Sequence, residues 1–429
     1  MDIILKLGNF RKAILPPDAD KSEKFFSLLN FSIPLLMGCY VFVNPLSMSA
    51  LKELCYYLSI LALMILLVFR KTNFTLRSPL TTWLALFSVW AVLGLFTTLD
   101  FSNTLHDLRG YLLEYLIVLY LLINFYNSQN RLELLAIIII ASATIFSIGG
   151  IILYYFIEGH AFHERFGLTF NEMQTAFMAF TTVFAATLSL RGVYKFESIT
   201  KQSVFFFCFL ILSATTMLSQ MRSALIAIFS SLLVMCFYRK KTIIIIFAAI
   251  IIVSIVFLPT IKERIRSQNI TQDIRTNMYR LSLEVIKDYP IAGVGYGGEI
   301  YRNTKLLDLE KYNLKLSEKH RQISPVIVST HNTFLDTAVR TGIVGLALFC
   351  FILLTAFWML VDVFWRRKEE FFRSWSICLF TCFIGYLIQA FFNDALYGTQ
   401  GPLLYVQLAM IVILWNLARK READGYPDS

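Results

Sequence analysis

Charge is scarce in this 429-residue chain: 16% of residues are Asp, Glu, Lys or Arg, against 57% hydrophobic. Soluble domains carry about 25% charged residues, so a water-exposed globule is excluded. Histidine is scarce as well, with five, and so is cysteine, with seven. Cys39, Cys55, Cys208, Cys236, Cys350, Cys378 and Cys382 all fall within apolar runs. That excludes a loop disulfide framework, and the spacing offers no metal-ligand set. Cys378 and Cys382 share a helix face, where packing accounts for them. Catalytic signatures of the P-loop, GxSxG and HExxH kinds are missing, as are internal repeats and low-complexity tracts. The first 27 residues are polar and contain Pro16 and Pro17, so no apolar signal-peptide core is visible there. "DAD" at 18–20 mimics the metal-binding triplet of nucleotide-sugar transferases, but it lacks supporting ligands and reads as linker. Neither a metal nor a cofactor is expected.

What the chain has instead is long apolar runs. Mean hydropathy is +0.63, and about 20 consecutive apolar residues cross a hydrocarbon core of about 30 Å. Twelve spans are expected, at 28–46, 54–69, 80–97, 111–126, 132–156, 171–190, 204–218, 223–238, 242–258, 333–361, 374–391 and 402–417. The chain thus reads as an all-α polytopic membrane protein, a single membrane domain over 1–429. Orientation follows from the cations, which concentrate on the cytoplasmic side. With the N-terminus inside, the inner segments hold 22 Lys and Arg and the short outer links hold four: Lys52, Arg109, Arg165 and Arg222. Both termini are therefore expected in the cytoplasm. The +10 net charge is mostly this topology signal and gives no reason to expect a nucleic-acid partner.

One outer segment is long. Residues 259–331 carry twelve Lys and Arg against eight Asp and Glu, in a loop too long for the charge rule to govern. Ile274, Met278, Leu281 and Val285 recur at helical spacing, predicting an amphipathic helix over roughly 272–288 that lies on or dips into the membrane surface. Pro290 ends it, and the turn-rich "GVGYGG" follows at 293–298.

The ionisable residues gather at the outer face. Arg222 stands in the tight turn "SQMRSAL" between two apolar spans, where an unpaired charge is costly. Arg165 stands in "HERFGLTFN", Arg275 and Arg280 on the amphipathic helix, His331 at the mouth of the tenth span, and Asp394 in "FFNDALYG". Planar guanidinium forks match phosphate oxygens, so converging arginines with one histidine and one carboxylate suit a phosphate-bearing lipid headgroup. A bland explanation competes residue by residue, since any single arginine can snorkel at an interface. It wins for Arg109, Arg302 and the loop lysines, while His106, His160 and His163 read as ordinary loop histidines.

At these positions the chain resembles the O-antigen ligase family, bacterial inner-membrane enzymes that attach O-antigen to lipid A–core. His331, Asn332, Gly342 and Gly345 fit the family's histidine signature. Arg222 fits its earlier arginine signature except that Ile226 stands where leucine is usual. "RTNMY" at 275–279, with Pro290 fifteen residues after Arg275, resembles its second arginine region, and Asp394 matches its late carboxylate. The resemblance implies a GT-C-like helical membrane fold whose site faces the periplasm. It implies a glycan on undecaprenyl diphosphate as donor, a sugar hydroxyl of lipid A–core as acceptor, and membrane lipids around a monomer or weak oligomer. His331, Arg222, Arg275 and Asp394 would then be catalytic, with Arg165, Arg280 and Asn332 binding substrate.

The chemistry of these residues agrees with that expectation. Breaking the bond to a diphosphate develops negative charge, which preorganised arginines stabilise without a metal. A near-neutral imidazole suits removal of the acceptor's proton. With no second carboxylate in evidence as nucleophile, a single inverting displacement is expected. Related polymerases and protein O-oligosaccharyltransferases share much of this pattern and stay open. A transporter of lipid-linked sugars is the more distant alternative, against which stand the one-leaflet clustering of charge and the missing repeat.

Overall fold

The computed structural model describes residues 20–46, 48–162, 164–166, 175–196, 198–238, 268–321, 330–396 and 400–423. Among them there is no strand, and the chain is a helical membrane bundle. Its helices are α1 (Lys21–Val43), α2 (Ser49–Val68), α3 (Thr81–Leu93), α4 (Phe101–Asp107), α5 (Glu114–Phe125), α6 (Gln129–Ile151) and α7 (Thr175–Lys195). They continue as α8 (Ile199–Leu218), α9 (Arg222–Tyr238), α10 (Gln268–Asp288), α11 (Leu309–Lys315), α12 (Thr333–Arg366), α13 (Glu370–Ala390) and α14 (Gly401–Ala423). Every expected span except 242–258, which lies outside the described residues, coincides with a helix. Eight described helical segments are long and apolar enough to cross a membrane, and those at Thr81–Phe96 and Arg222–Cys236 are shorter. The number twelve is therefore not fixed by the structure. His163 likewise lies outside the described residues.

Caps start several helices where the sequence supplies a short polar side chain. Asp20, the last residue of the acidic triplet, accepts from the backbone N–H of Lys21 at 2.6 Å and opens α1. Ser128 opens α6, and Asn332 opens α12 by accepting from both Phe334 and Leu335. Helix α14 is apolar around its whole circumference, and nearly every residue from Gly401 to Leu414 is buried. A helix of that composition belongs in the centre of a bundle. It packs against α5, α12 and α13, while α7 pairs with α8 and α9 with α13.

Far from the candidate site, the opposite end is tied by a polar knot. Arg191 donates twice to Glu133, at 3.1 and 2.8 Å, with its guanidinium 3.9 Å from the Trp375 ring centre. The Trp375 indole N–H and Lys195 Nζ also reach Glu133, at 2.9 and 2.7 Å. A charge-assisted, bidentate pair of this kind fixes α6, α7 and α13 relative to one another.

The amphipathic helix is present and starts earlier than expected, at Gln268. Over its second half the apolar face does not lie open to a membrane surface. Leu281 and Val285 are buried in a second, smaller core with Val294, Ile300, Tyr301, Leu309, Tyr312 and Val339. The side chain of Ile274 lies outside the described residues. The long loop thus has a core of its own, rooted on α12.

The tenth span differs from the sequence reading in two respects. It runs on to Arg366, and it is broken at Gly342, where φ is 69° and ψ −175°. A break strands the backbone groups that the helix would have paired, and buried groups of that kind require other partners. The loop provides them. Val294 N donates to Val339 O at 2.9 Å, Gly295 N to Arg340 O at 3.0 Å, and Ile343 N to Pro290 O at 2.8 Å. Only glycine fits position 342: a β-carbon there would lie 1.9 Å from the carbonyl oxygen of Ile291.

Candidate functional site

Five separated stretches meet at one end of the bundle: the strap 164–166, the α8–α9 turn, the middle of α10, and the turns before α12 and after α13. The strap is docked by backbone contacts. Phe166 N donates to Leu218 O at 3.0 Å, and the Tyr154 hydroxyl donates to Arg165 O at 2.9 Å. Arg165 Nε then donates to Ser219 O at 3.1 Å, so this guanidinium lies on the turn that leads to Arg222.

Arg222 is the first residue of α9 and is exposed. Its neighbour Ser223 is buried and accepts from Asn393 Nδ2 at 3.1 Å, joining the α9 start to the link after α13. That link is bound in turn to the start of α12. Thr333 Oγ1 donates to Asn393 O at 2.7 Å and accepts from Ala395 N at 3.0 Å. Two helix N-termini, those of α9 and α12, therefore open onto the same end, each with the positive pole of its dipole outward.

His331 occupies the turn before α12 with φ 48°, one of the few non-glycine residues in the left-handed region. Gln220, beside Arg222, is another at 51°. Side chains with a β-carbon tolerate this conformation only where the surroundings enforce it, and such residues cluster at functional sites. Burial, and then the positive charge of Arg275, hold the His331 imidazole below its ordinary pKa. Asp394 contacts the Thr330 hydroxyl at 3.1 Å and the backbone N–H of Asn332. Although Asp394 keeps some exposed surface, burial and the charge of Asp336 raise its pKa to about 7 against the opposing pull of Arg340.

The remaining expected residues divide. Arg275 is exposed and acts on both His331 and Tyr279, whose hydroxyl donates to the His331 carbonyl at 3.3 Å. Arg280 is half-buried, and among the described residues its Nη1 has no hydrogen-bond partner. The side-chain oxygen of Asn332 is occupied in capping α12. His106 and His160 pair with nearby carboxylates, Asp107 at 3.0 Å and, on the strap itself, Glu164 at 2.9 Å. No group of three or more His, Cys, Asp or Glu that could hold a metal ion occurs among the described residues.

Residues outside the expected set complete the site. Thr330, Tyr279, Ser223 and Asn393 form its hydrogen-bonded frame. Beneath them Asp336 pairs with Arg340 at 2.8 Å and accepts from the Tyr301 hydroxyl at 2.9 Å, and both members of the ion pair are buried. A signal for this pair was present: a carboxylate and an arginine four apart inside an apolar span are costly unless they serve a purpose.

Fold and geometry together define a polytopic membrane protein with a polar, arginine-bearing site at one end of its bundle. Residues 207–350 match the family model described as O-antigen ligase, so the resemblance seen at His331 and Gly342 holds over this segment, roughly a third of the chain. The match takes in Arg222, Arg275, Arg280, His331 and Gly345, and leaves Arg165 and Asp394 outside it. It supports a function of the O-antigen ligase or polymerase type in lipopolysaccharide synthesis. None of the curated proteins matches the chain.

Proposed function

We propose that this protein is a glycosyltransferase that moves an O-antigen polysaccharide from undecaprenyl diphosphate to a sugar hydroxyl of lipid A–core. The observation that carries this reading is the positive charge of Arg275 acting on a half-buried His331 beside two helix N-termini. Arg222 and Arg275 grip the diphosphate, with Arg165 and Arg280 on its flank, and the dipoles of α9 and α12 add to the positive field. As the glycosidic bond breaks, charge builds on the leaving phosphate, and oriented guanidinium groups offset it.

His331 acts as general base. Its lowered pKa keeps the imidazole neutral at pH 7, the form that accepts a proton from the acceptor hydroxyl. The oxygen then attacks the anomeric carbon opposite the leaving group, so configuration inverts. The arginines carry the role that a metal ion has in other phosphate-handling enzymes. In this reading the site faces the periplasm from the inner membrane, both termini are cytoplasmic, and 259–331 is a periplasmic loop.

Reconstitution tests the proposal. Purified protein in liposomes is given a glycan on undecaprenyl diphosphate and rough lipopolysaccharide, and joined product is sought by gel. A ladder on the lipopolysaccharide supports the ligase. Chains that lengthen on the polyprenyl carrier alone mark a polymerase, and glycan on an added acceptor protein marks a protein transferase. No transfer of any kind, with substrate moved across the bilayer, supports the transporter.

A further inference from the structure

The left-handed turn at His331 needs something to hold it, and the contacts that do so lie on both sides of the residue. On one side the Tyr279 hydroxyl donates to the His331 carbonyl at 3.3 Å. On the other, the fully buried Thr330 hydroxyl lies 2.9 Å from the Asn332 carbonyl and 3.1 Å from Asp394 Oδ1. Asp394 also accepts from the Asn332 backbone N–H. A hydroxyl has one proton to give. Thr330 can donate to the Asn332 carbonyl or to an ionised Asp394, but not to both. The two contacts are satisfied together when Asp394 carries a proton and donates it to Thr330 Oγ1.

We propose that Thr330 is a positioning residue for His331, working in relay with Asp394: the acid form of Asp394 donates to Thr330 Oγ1, which donates to the Asn332 carbonyl and locks the turn that aims the imidazole. This rests on the general-base reading of His331. Asp336 and Arg340 of α12, Tyr279 and Tyr301 of the loop, and Thr330 and Asn332 of the turn itself surround or act on Asp394. Its pKa of about 7 leaves the acid form populated at neutral pH. The sign is then fixed. The relay is complete below that value and is lost as pH rises through it, so activity should fall on the alkaline side, while His331 sets the acid limb.

The experiment compares full-length wild type, Thr330→Val, Thr330→Ser and Asp394→Asn in liposomes. Each is assayed for kcat and KM of glycan transfer across the pH range. In parallel, the rate of diethyl pyrocarbonate modification of His331 is read by mass spectrometry. Misplacing a reacting group by about 1 Å costs up to about 10²-fold, so Thr330→Val should lower kcat by about tenfold or more with KM little changed. Thr330→Ser should keep the wild-type rate and alkaline limb, and only the valine variant should alter His331 modification. Asp394→Asn supplies a permanent N–H donor to Thr330, so its alkaline fall should vanish; this arm decides the matter if the valine variant does not fold. A valine variant with wild-type kcat and pH profile, a serine variant as impaired as valine, or an asparagine variant that keeps the alkaline fall would overturn the relay. If wild type transfers no glycan, the functional reading fails, and the modification rates alone decide whether Thr330 positions the imidazole.

Discussion

Replacing Gly342 with alanine should detach the loop from the membrane helix, and the size of the effect can be worked from the contacts. Alanine at φ 69° costs roughly 1–2 kcal/mol for the left-handed backbone alone. Its β-carbon would also sit 1.9 Å from the Ile291 oxygen and 2.7 Å from the Ala292 nitrogen, both backbone atoms that cannot turn aside. Relief requires either that segment 290–295 withdraw or that α12 straighten. Both routes break the bonds Val294–Val339, Gly295–Arg340 and Ile343–Pro290. Straightening returns helical partners to α12 but leaves the loop's own groups unpaired, at roughly 1–3 kcal/mol for each that remains buried. The total is roughly 3–6 kcal/mol, a large share of the 5–15 kcal/mol that holds a typical domain together. Hydrogen exchange reads it directly. The amides of Val294 and Gly295 should exchange roughly 100-fold faster or more in Gly342→Ala, and that of Ile343 too where the segment withdraws rather than α12 straightening, with the far end of the bundle unchanged. Exchange at the wild-type rate at all three amides would refute the reasoning, because the steric and hydrogen-bond arguments leave no route to an undisturbed loop.

His331→Ala should remove general-base catalysis, typically a loss of 10²–10⁴-fold in transfer, with membrane insertion intact; near-normal product on a gel would rule out the role. Arg275→Gln removes one of the two causes that lower the His331 pKa, so the acid limb of kcat/KM should move to higher pH, toward the ordinary histidine value. An unmoved limb would show that burial alone sets the titration. Arg222→Lys and Arg275→Lys keep the charge and lose the fork, and each should cost on the order of 10²–10³ in rate; full turnover in both would mean that diffuse positive potential is enough. Activity should survive EDTA, and a loss restored by Mg²⁺ or Mn²⁺ would point to a ligand set not recognised among these residues.

Much of this architecture is legible in the sequence because the bilayer imposes one strong rule, a run of apolar residues for each crossing. Helix existence follows from it with little ambiguity. The candidate site is legible for a related reason: charge is so rare here that Arg222, Arg275, His331 and Asp394 stand out individually. The frame around them is less legible. Thr330, Ser223 and Asn393 are ordinary polar residues, and their value comes from partners 60 to 170 positions away. The fate of the amphipathic helix is hidden for the same reason. Periodicity shows that α10 has an apolar face, but protein and lipid are equally good at covering it, and here the loop's own core and Val339 do so. The break at Gly342 is invisible to hydropathy, because a glycine in an apolar run changes the average very little.

The bonds between the loop and the broken helix bear on how substrates reach the site. A large segment outside the bilayer usually invites the image of a cover that lifts. Here, raising residues 290–295 would leave the Val339 and Arg340 carbonyls without partners deep against the bundle, where water is not at hand to replace them. The same movement would pull on the helix that His331 and its cap Asn332 precede. Segment 290–295 is thus fixed to α12, and the two are mechanically continuous. Under the proposed function, whatever opens for a bulky lipid-linked chain must do so along other seams, leaving this joint and the helix that follows the histidine standing together.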